Sequence, residues 1–506
     1  MLKELPPWFA EKRSAGCLMH ISSLPSSFGI GNLGKSSYQF IDFLMESGFS
    51  FWQVCPVGPT GFGDSPYQVF SSSAGNPYFI DWEPLLENNL ISNDELDALS
   101  KLPHEFVDYG NLYQSFFSIA RLAHSRFHEN RKNLEDIYGS YDLWRSQSSW
   151  LHSYASFQCL KKEYSNLPWW EWPQNHDLEK VDDVEYDFQI FLQYLFRGQW
   201  KQLRSYANSM GISLLGDLPI YPAPDSSEVW ANPSLFQTDV INKGTFTNVA
   251  GVPPDYFNAD GQFWGNPLYQ WDVHRKDDFL WWRDRLSHQL ELFDVVRIDH
   301  FRGFHDYWSI PDFTKDAKLG KWKNGPGMDF WEVIQKYFPD MPFLAEDLGL
   351  ISDDVRQLRD LAGLPGMAVL QFAFDGDSEN LYLPHNLKDS LVLYTGTHDN
   401  DTTNGWYKSA SEEVKGNFRK YLNVSGDSPS WDLLRFAYRT VSPLVVIPVQ
   451  DLLSLGSEAR FNEPGIAEGN WKWRITKSQL EEQLNDYTVY LHGQAEITGR
   501  LPSLIA

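Results

Sequence analysis

Phe293-Asp294-Val295-Val296-Arg297-Ile298-Asp299-His300-Phe301-Arg302-Gly303 opens as a buried strand and closes on charge. Its short β-branched run suits a pleated, covered surface, yet Arg297, Asp299, His300 and Arg302 fall within six positions. Alternate side chains of a strand share a face, which sets Arg297 and Asp299 on one side, about 7 Å apart along the backbone. An acid beside a fixed cation at the C-terminal end of a core strand has two readings. It is a structural ion pair, or a carboxylate held ionised for chemistry.

Seven more apolar runs resemble this one. With 294–299 they make eight: 16–21, 51–57, 213–217, 342–346, 367–372, 391–395 and 444–448 are the others. Continuous rather than alternating runs, separated by helix-like periodicity as at 353–362 and 411–422, argue for parallel strands covered on both faces. Eight of them fit an α/β fold of the (β/α)8 TIM-barrel type, whose site forms at the C-terminal strand ends. The chain of 506 residues is roughly twice a plain barrel of about 250. We therefore expect one catalytic barrel over 1–506 with two insertions. Residues 58–200, after the second strand, read as mostly helical. Residues 221–275, after the third, are rich in Pro, Gly, Asn and aromatics and read as a loop-rich cover for the site. No internal repeat or low-complexity linker stands out.

A net charge of −25 argues against a nucleic-acid backbone or an anionic membrane as partner. The 21 Trp, 24 Tyr and 34 Phe are mostly core, and also suit stacking on sugar rings. Cys17, Cys55 and Cys159 are too widely spaced for a disulfide framework or a zinc motif. The N-terminus has no apolar leader and no apolar stretch nears 18 residues, so a cytoplasmic setting is the expectation.

Two motifs mislead. Gly29-Ile-Gly-Asn-Leu-Gly-Lys-Ser36 matches a P-loop letter for letter. A P-loop, however, follows its strand directly and opens a helix onto phosphate, whereas here Pro25 and its neighbours intervene. The alternative it leaves open is a P-loop phosphotransferase with Asp217 as its metal-side acid. Asp399-Asn-Asp-Thr-Thr-Asn-Gly405 looks like a calcium loop but has Asn404 and Ala410 where an EF-hand requires Gly and Glu. No G-x-S-x-G elbow and no H-E-x-x-H occur.

Acids stand at three strand ends: Asp299, Glu346 and Asp399, separated by 47 and 53 residues. These gaps place them after the fourth, fifth and seventh strands, facing one bowl. Two carboxylates across a sugar with a third nearby fit glycosyl transfer by double displacement, one ionised to attack and one protonated to donate. Arg297 would keep Asp299 charged, and the apolar run before Glu346 would favour its protonated form. Asp347 should face away by alternation. The plainer reading is that these acids cap the following helices.

Arg297-Ile-Asp-His-Phe-Arg-Gly303, Ala345-Glu-Asp-Leu-Gly349 and Gly396-Thr-His-Asp-Asn400 resemble regions of the α-amylase clan. More closely, the chain resembles the amylomaltases or disproportionating enzymes, the 4-α-glucanotransferases of glycoside hydrolase family 77. The likeness extends to Gly63-Asp-Ser-Pro-Tyr-Gln68, Gly216-Asp-Leu-Pro-Ile220, Val252-Pro-Pro-Asp-Tyr-Phe257, Trp264-Gly-Asn-Pro-Leu-Tyr269 and Gly469-Asn-Trp-Lys-Trp-Arg474. The resemblance implies Asp299 as nucleophile, Glu346 as general acid/base and Asp399 as transition-state stabiliser. It implies substrate contacts from Arg297, His300, His398, Asp217, Tyr67, Ser65, Tyr256, Phe257, Trp264 and Asn470. Tyr256 and Phe257 would lie in a loop that shields the intermediate from water. The implied donor and acceptor are maltooligosaccharides, amylose or glycogen, with no cofactor and no metal. The segment after Asp217, Pro219 with Tyr221-Pro222, departs from the family pattern. Oligomeric state stays open. A glucan hydrolase and a non-catalytic glucan-binding protein are the competing classes.

Overall fold

A computed structural model describes residues 3–61, 63–173, 182–239, 245–254, 259–466 and 468–502. Its eight parallel barrel strands are β1 (Ser14–Leu18), β2 (Phe51–Gln53), β3 (Ser213–Pro219), β4 (Val295–Asp299), β5 (Phe343–Ala345), β6 (Gly366–Val369), β7 (Leu391–Tyr394) and β8 (Leu444–Pro448). Their spatial order is β5-β4-β3-β2-β1-β8-β7-β6. Ala345 N–H donates to Pro365 O at 2.9 Å across the remaining gap between β5 and β6. This is a (β/α)8 ring with strands in chain order. Each of the eight apolar runs supplies one strand.

The strands stop short of the runs. β2 ends at Gln53, yet Val54, Cys55 and Val57 are as buried as the strand itself. Past β1 and β6, Ile21–Ser23 and Leu370–Phe372 turn as 3-10 helices. An apolar run reports what is covered, and the rim loops of this barrel are covered too.

Between β2 and β3 lie helices Tyr109–Tyr138, Leu151–Glu163 and Asp183–Ser209, among shorter ones. The first is started by the Asp108 carboxylate, which accepts the Asn111 N–H. Its Leu112, Phe116, Ile119, Ala123 and Phe127 form the apolar stripe of a helix that docks on one side. Helix Asp183–Ser209 is buried on most sides between Phe188 and Trp200. It packs on the other two helices and on β3. It crosses position 200 and runs almost into β3. Its apolar residues belong to the same core as the strands. No helix among the described residues is long and apolar enough to cross a membrane.

The 221–275 stretch, expected to be loop-rich, also carries paired strands. Asn248–Val252 and Gln262–Pro267 are strands of a four-stranded antiparallel sheet. Asp306–Pro311 and Lys321–Asn324, from the segment after β4, complete it. Pairing across β4 is invisible to a local pattern. The register also shifts between Val249 and Gly251, which breaks the alternation that marks a strand.

The P-loop look-alike has another use. Gly34 N–H donates to Asn32 Oδ1 at 3.2 Å, and Asn32 Nδ2 donates to Asp81 Oδ1 at 3.2 Å, ahead of helix Lys35–Glu46. A Cβ at Gly34 would lie 2.7 Å from the Asp81 carboxyl. The protein's own carboxylate thus stands where a P-loop would present phosphate, and Lys35 is exposed.

Candidate active site

The β3–β4 register sets Asp217 opposite Arg297 and Pro219 opposite Asp299. Arg297 Nη1 lies 2.7 Å from both Asp217 oxygens and 2.9 Å from Asp299 Oδ1. Its Nε faces Met367 Sδ at 3.4 Å. Burial opposes the charge on Arg297, but Asp217 and then Asp299 hold its guanidinium well above the ordinary range. Asp217 is 1 % exposed. Burial pushes its carboxyl up and Arg297 pulls it back; with both its oxygens at contact distance from Arg297, we read a charged pair. Its Oδ2 also accepts from Tyr67 OH at 2.8 Å. The sequence grouped Asp217 with substrate contacts, but its oxygens are engaged by Arg297 and Tyr67 at the floor of the site. Asp299, with a side chain 29 % exposed, is the acid on Arg297 that faces outward.

Glu346 follows β5 directly. Its N–H continues the ladder to Ile298 O at 3.0 Å, and its carbonyl accepts the Phe301 N–H at 2.9 Å. The carboxylate accepts His300 N–H at 2.7 Å and Leu348 N–H at 2.9 Å. His300 is left-handed, with φ 53°, so the chain turns sharply just after Asp299. Burial pushes the Glu346 carboxyl up to about 7; Arg297 opposes this, Asp299 adds to it, and the two N–H donors oppose it. Such a group exchanges a proton near neutrality. Asp347 does face away: it accepts from Arg359 Nη1 at 2.5 Å and from Met367 N–H at 2.8 Å, stitching the β5–β6 seam.

The third acid sits on the loop after β7. Both ends of that loop are tied to Asp451, which is 1 % exposed. Thr395 Oγ1 and Thr403 Oγ1 each donate to its Oδ2 at 2.7 Å, and Thr403 N–H donates to Oδ1 at 2.8 Å. Asp399 Oδ1 accepts from Asn462 Nδ2 at 2.6 Å, and its Oδ2 lies 3.3 Å from His398 Nε2. Burial would raise the Asp399 carboxyl, but His398 and Asn462 hold it well below the usual carboxylate range. For His398, burial lowers the pKa and Asp399 more than offsets this. Its ring stacks on Tyr67 with centroids 4.9 Å apart, and Trp471 leans on both at 5.8 and 5.9 Å.

The remaining candidates divide. His300, whose imidazole burial holds down at about 4, forms a T-shaped pair with Trp264, ring centroids 4.9 Å apart. These two line the same rim as Asp299. Ser65 Oγ accepts the Tyr67 N–H at 3.2 Å and shapes the turn that presents the tyrosine. Asn470 is engaged by its own loop: it accepts Glu463 N–H and donates to Glu463 O and Ile466 O. Tyr256 and Phe257 lie outside the described residues. Sequence reasoning missed Asn462, Trp471 and Asp451. Trp471 lay inside a quoted motif. Asn462 and Asp451 follow β8, where a barrel builds its site, and that position was their only signal.

The geometry offers an outward acid on a fixed cation, a second acid whose protonated form burial favours and a third acid, held low by its partners, on a pinned loop. That set suits displacement at a saturated carbon bearing an oxygen leaving group. Known proteins resemble this chain along most of its length. The family model described as 4-alpha-glucanotransferase matches residues 19–480. A 4-alpha-glucanotransferase of Thermus thermophilus is 44% identical over 507 residues, covering 97% of this chain and 99% of that protein. Among solved structures, an amylomaltase from Streptococcus agalactiae in complex with acarbose superposes with a TM-score of 0.91 at 36% identity, covering 97% of this chain and 100% of that one. An amylomaltase from Corynebacterium glutamicum shares the fold at a TM-score of 0.75 and 18% identity, over 96% of this chain and 75% of that one.

Proposed function

The chain belongs to the 4-alpha-glucanotransferases of glycoside hydrolase family 77, which move α-1,4-glucan segments, and from its site we propose which residues carry the transfer. Asp299 attacks the anomeric carbon as Glu346 passes its proton to the departing glycosidic oxygen. The glucan is then held on Asp299 as a covalent ester. Glu346, now ionised, takes the proton from the 4-hydroxyl of a second glucan, whose oxygen displaces Asp299. Two inversions retain configuration. Asp399 stays ionised throughout and supports the positive charge that grows on the sugar ring.

The observation that carries this reading is the pairing of environments. Asp299 leans on a cation that a second buried acid holds in place, while Glu346 sits where burial favours its proton. Opposite environments for two neighbouring acids are what a nucleophile and a proton donor require. The packed rings of Tyr67, His398 and Trp471 brace the His398 imidazole that faces Asp399.

Maltooligosaccharides, amylose and glycogen are the donors and acceptors we expect, and we expect acarbose to bind as it does to the Streptococcus agalactiae relative. We further infer a cytoplasmic setting, which three buried free thiols suit; cell fractionation checks it. A slow-turnover fluorosugar donor followed by peptide mass spectrometry tests the mechanism. The label should sit on Asp299, and a label on Glu346 or Asp399 would reassign the roles.

A further inference from the structure

Among the described residues, one cluster outside the three-acid site brings metal-ligating atoms together. His124 and His128 lie one turn apart on helix Tyr109–Tyr138, and so on one face of it. Asp187, on helix Asp183–Ser209, meets both. His124 Nε2 and His128 Nε2 each stand 2.9 Å from Asp187 Oδ2. The three ligand atoms lie within 4.8 Å of one another. We propose that His124, His128 and Asp187 form a site for a zinc-class divalent ion that clips these two helices of the β2–β3 insertion together.

The donor set selects the ion. Two imidazoles and one carboxylate suit zinc and its transition-metal neighbours, whereas magnesium and calcium favour oxygen throughout. Bonds of about 2.0–2.1 Å in a tetrahedral shell put ligand atoms about 3.3 Å apart. The two 2.9 Å contacts fall slightly short of that separation, and small side-chain adjustments open it. Each imidazole would carry its proton on Nδ1 and turn the Nε2 lone pair to the ion.

The surroundings resemble those of a ligand set more than those of a bare ion pair. Tyr141 OH donates to Asp187 Oδ1 at 2.9 Å, which steers Oδ2 toward the imidazoles as outer-shell partners do. The rings of Phe188 and Phe191 hold the His124 ring at 5.5 and 5.4 Å. His128 is 56% exposed, which opens a path for entry and a fourth position for water. Arg145 Nη1, 3.6 Å from Asp187 Oδ1, works against a cation there. Its side chain is 43% exposed, so solvent screens much of that charge. With three protein ligands the ion exchanges with solution and tightens a fold that stands without it.

The test uses the full-length chain, stripped with chelator and titrated with Co2+, then with Zn2+. The expected result is a visible Co2+ ligand-field spectrum saturating at one ion per chain, bleached by Zn2+, together with a zinc-dependent rise in thermal midpoint. Tyr141→Phe should weaken binding by about 10–100-fold. His128→Ala, at a half-exposed position that leaves the core intact, should abolish both signals, as should Asp187→Asn. If Asp187→Asn fails to fold, His128→Ala decides alone. The absence of a saturating spectrum in the unsubstituted chain, or unchanged uptake by His128→Ala, overturns the site.

Discussion

The Glu346 carboxylate accepts the main-chain N–H of His300 at 2.7 Å, and His300 directly follows Asp299 in the chain. With the Glu346 N–H on Ile298 O and the Phe301 N–H on Glu346 O, this bond ties Glu346, the proposed proton donor, to the residues on both sides of Asp299, the proposed nucleophile. Little reorganisation is left for the moment of reaction. The left-handed turn at His300 is part of this arrangement.

Asp299→Asn keeps the shape of the site and removes the attacking charge. Maltotriose disproportionation, followed by product chromatography, should fall by more than about 10³-fold. Calorimetric affinity for a maltooligosaccharide should stay within severalfold. Joint loss of binding and turnover would make Asp299 a structural residue.

In the proposed mechanism Glu346 must be protonated when the glycosidic oxygen departs. Its carboxyl is raised to about 7, by burial first. Proton donation is therefore available below that pH and is lost as the pH climbs through it. We expect kcat/KM for maltotriose to fall about tenfold per pH unit on the alkaline side. Glu346→Gln should lower the rate and flatten that limb. An unchanged limb in the variant would move the titration to another group.

Arg297→Met strands Asp217 in the core without its cation, which should cost about 3–5 kcal/mol of stability, read as a lower thermal midpoint. Adding Asp217→Asn removes the stranded charge and should return part of that stability. Transfer should stay low in both variants, because Asp299 has lost its cation as well. A double variant no more stable than the single one would mean that the pair is not the source of the loss.

Asn462→Ala deletes the 2.6 Å bond to Asp399 at a position near the surface, where stability should change by no more than about 0.5 kcal/mol. kcat should drop by about tenfold or more through misplacement of the third acid. Equal activity would show that His398 alone holds Asp399.

Lys35→Ala should leave both transfer and stability nearly unchanged, since the lysine is exposed and Asp81 occupies the helix start. A large loss of activity would revive a phosphate-binding role for the 29–36 loop.

The barrel could be read from sequence because each strand is covered on both faces and leaves an unbroken apolar run, as Val295–Ile298 does before its charges begin. Strand ends were less legible, because Val54 and Val57 are buried in loops. The sheet joining Asn248–Val252 to Asp306–Pro311 escaped because its partners flank β4 and meet only in space. In the site, Asp299, Glu346 and Asp399 announced themselves by standing after strands. Asp217 did not reveal its partner: only the β3–β4 register puts it against Arg297. Asn462 reaches Asp399 by folding back from beyond β8, and no local pattern encodes that return.

Ser14 pairs with Leu444 along the β1–β8 edge, so the first and last strands of the ring are neighbours. A ribosome building this chain cannot release a closed barrel until residue 448 has emerged. Before then β1 and β7 both offer unpaired edges, the kind of surface on which nascent chains stick to one another. Asp299, Glu346 and Asp399 are all made well before that point, while Asn462 is not. A chain that stalls between 400 and 444 would hold all three acids of the site and remain an open sheet, so the ring closes only after every one of them has been made.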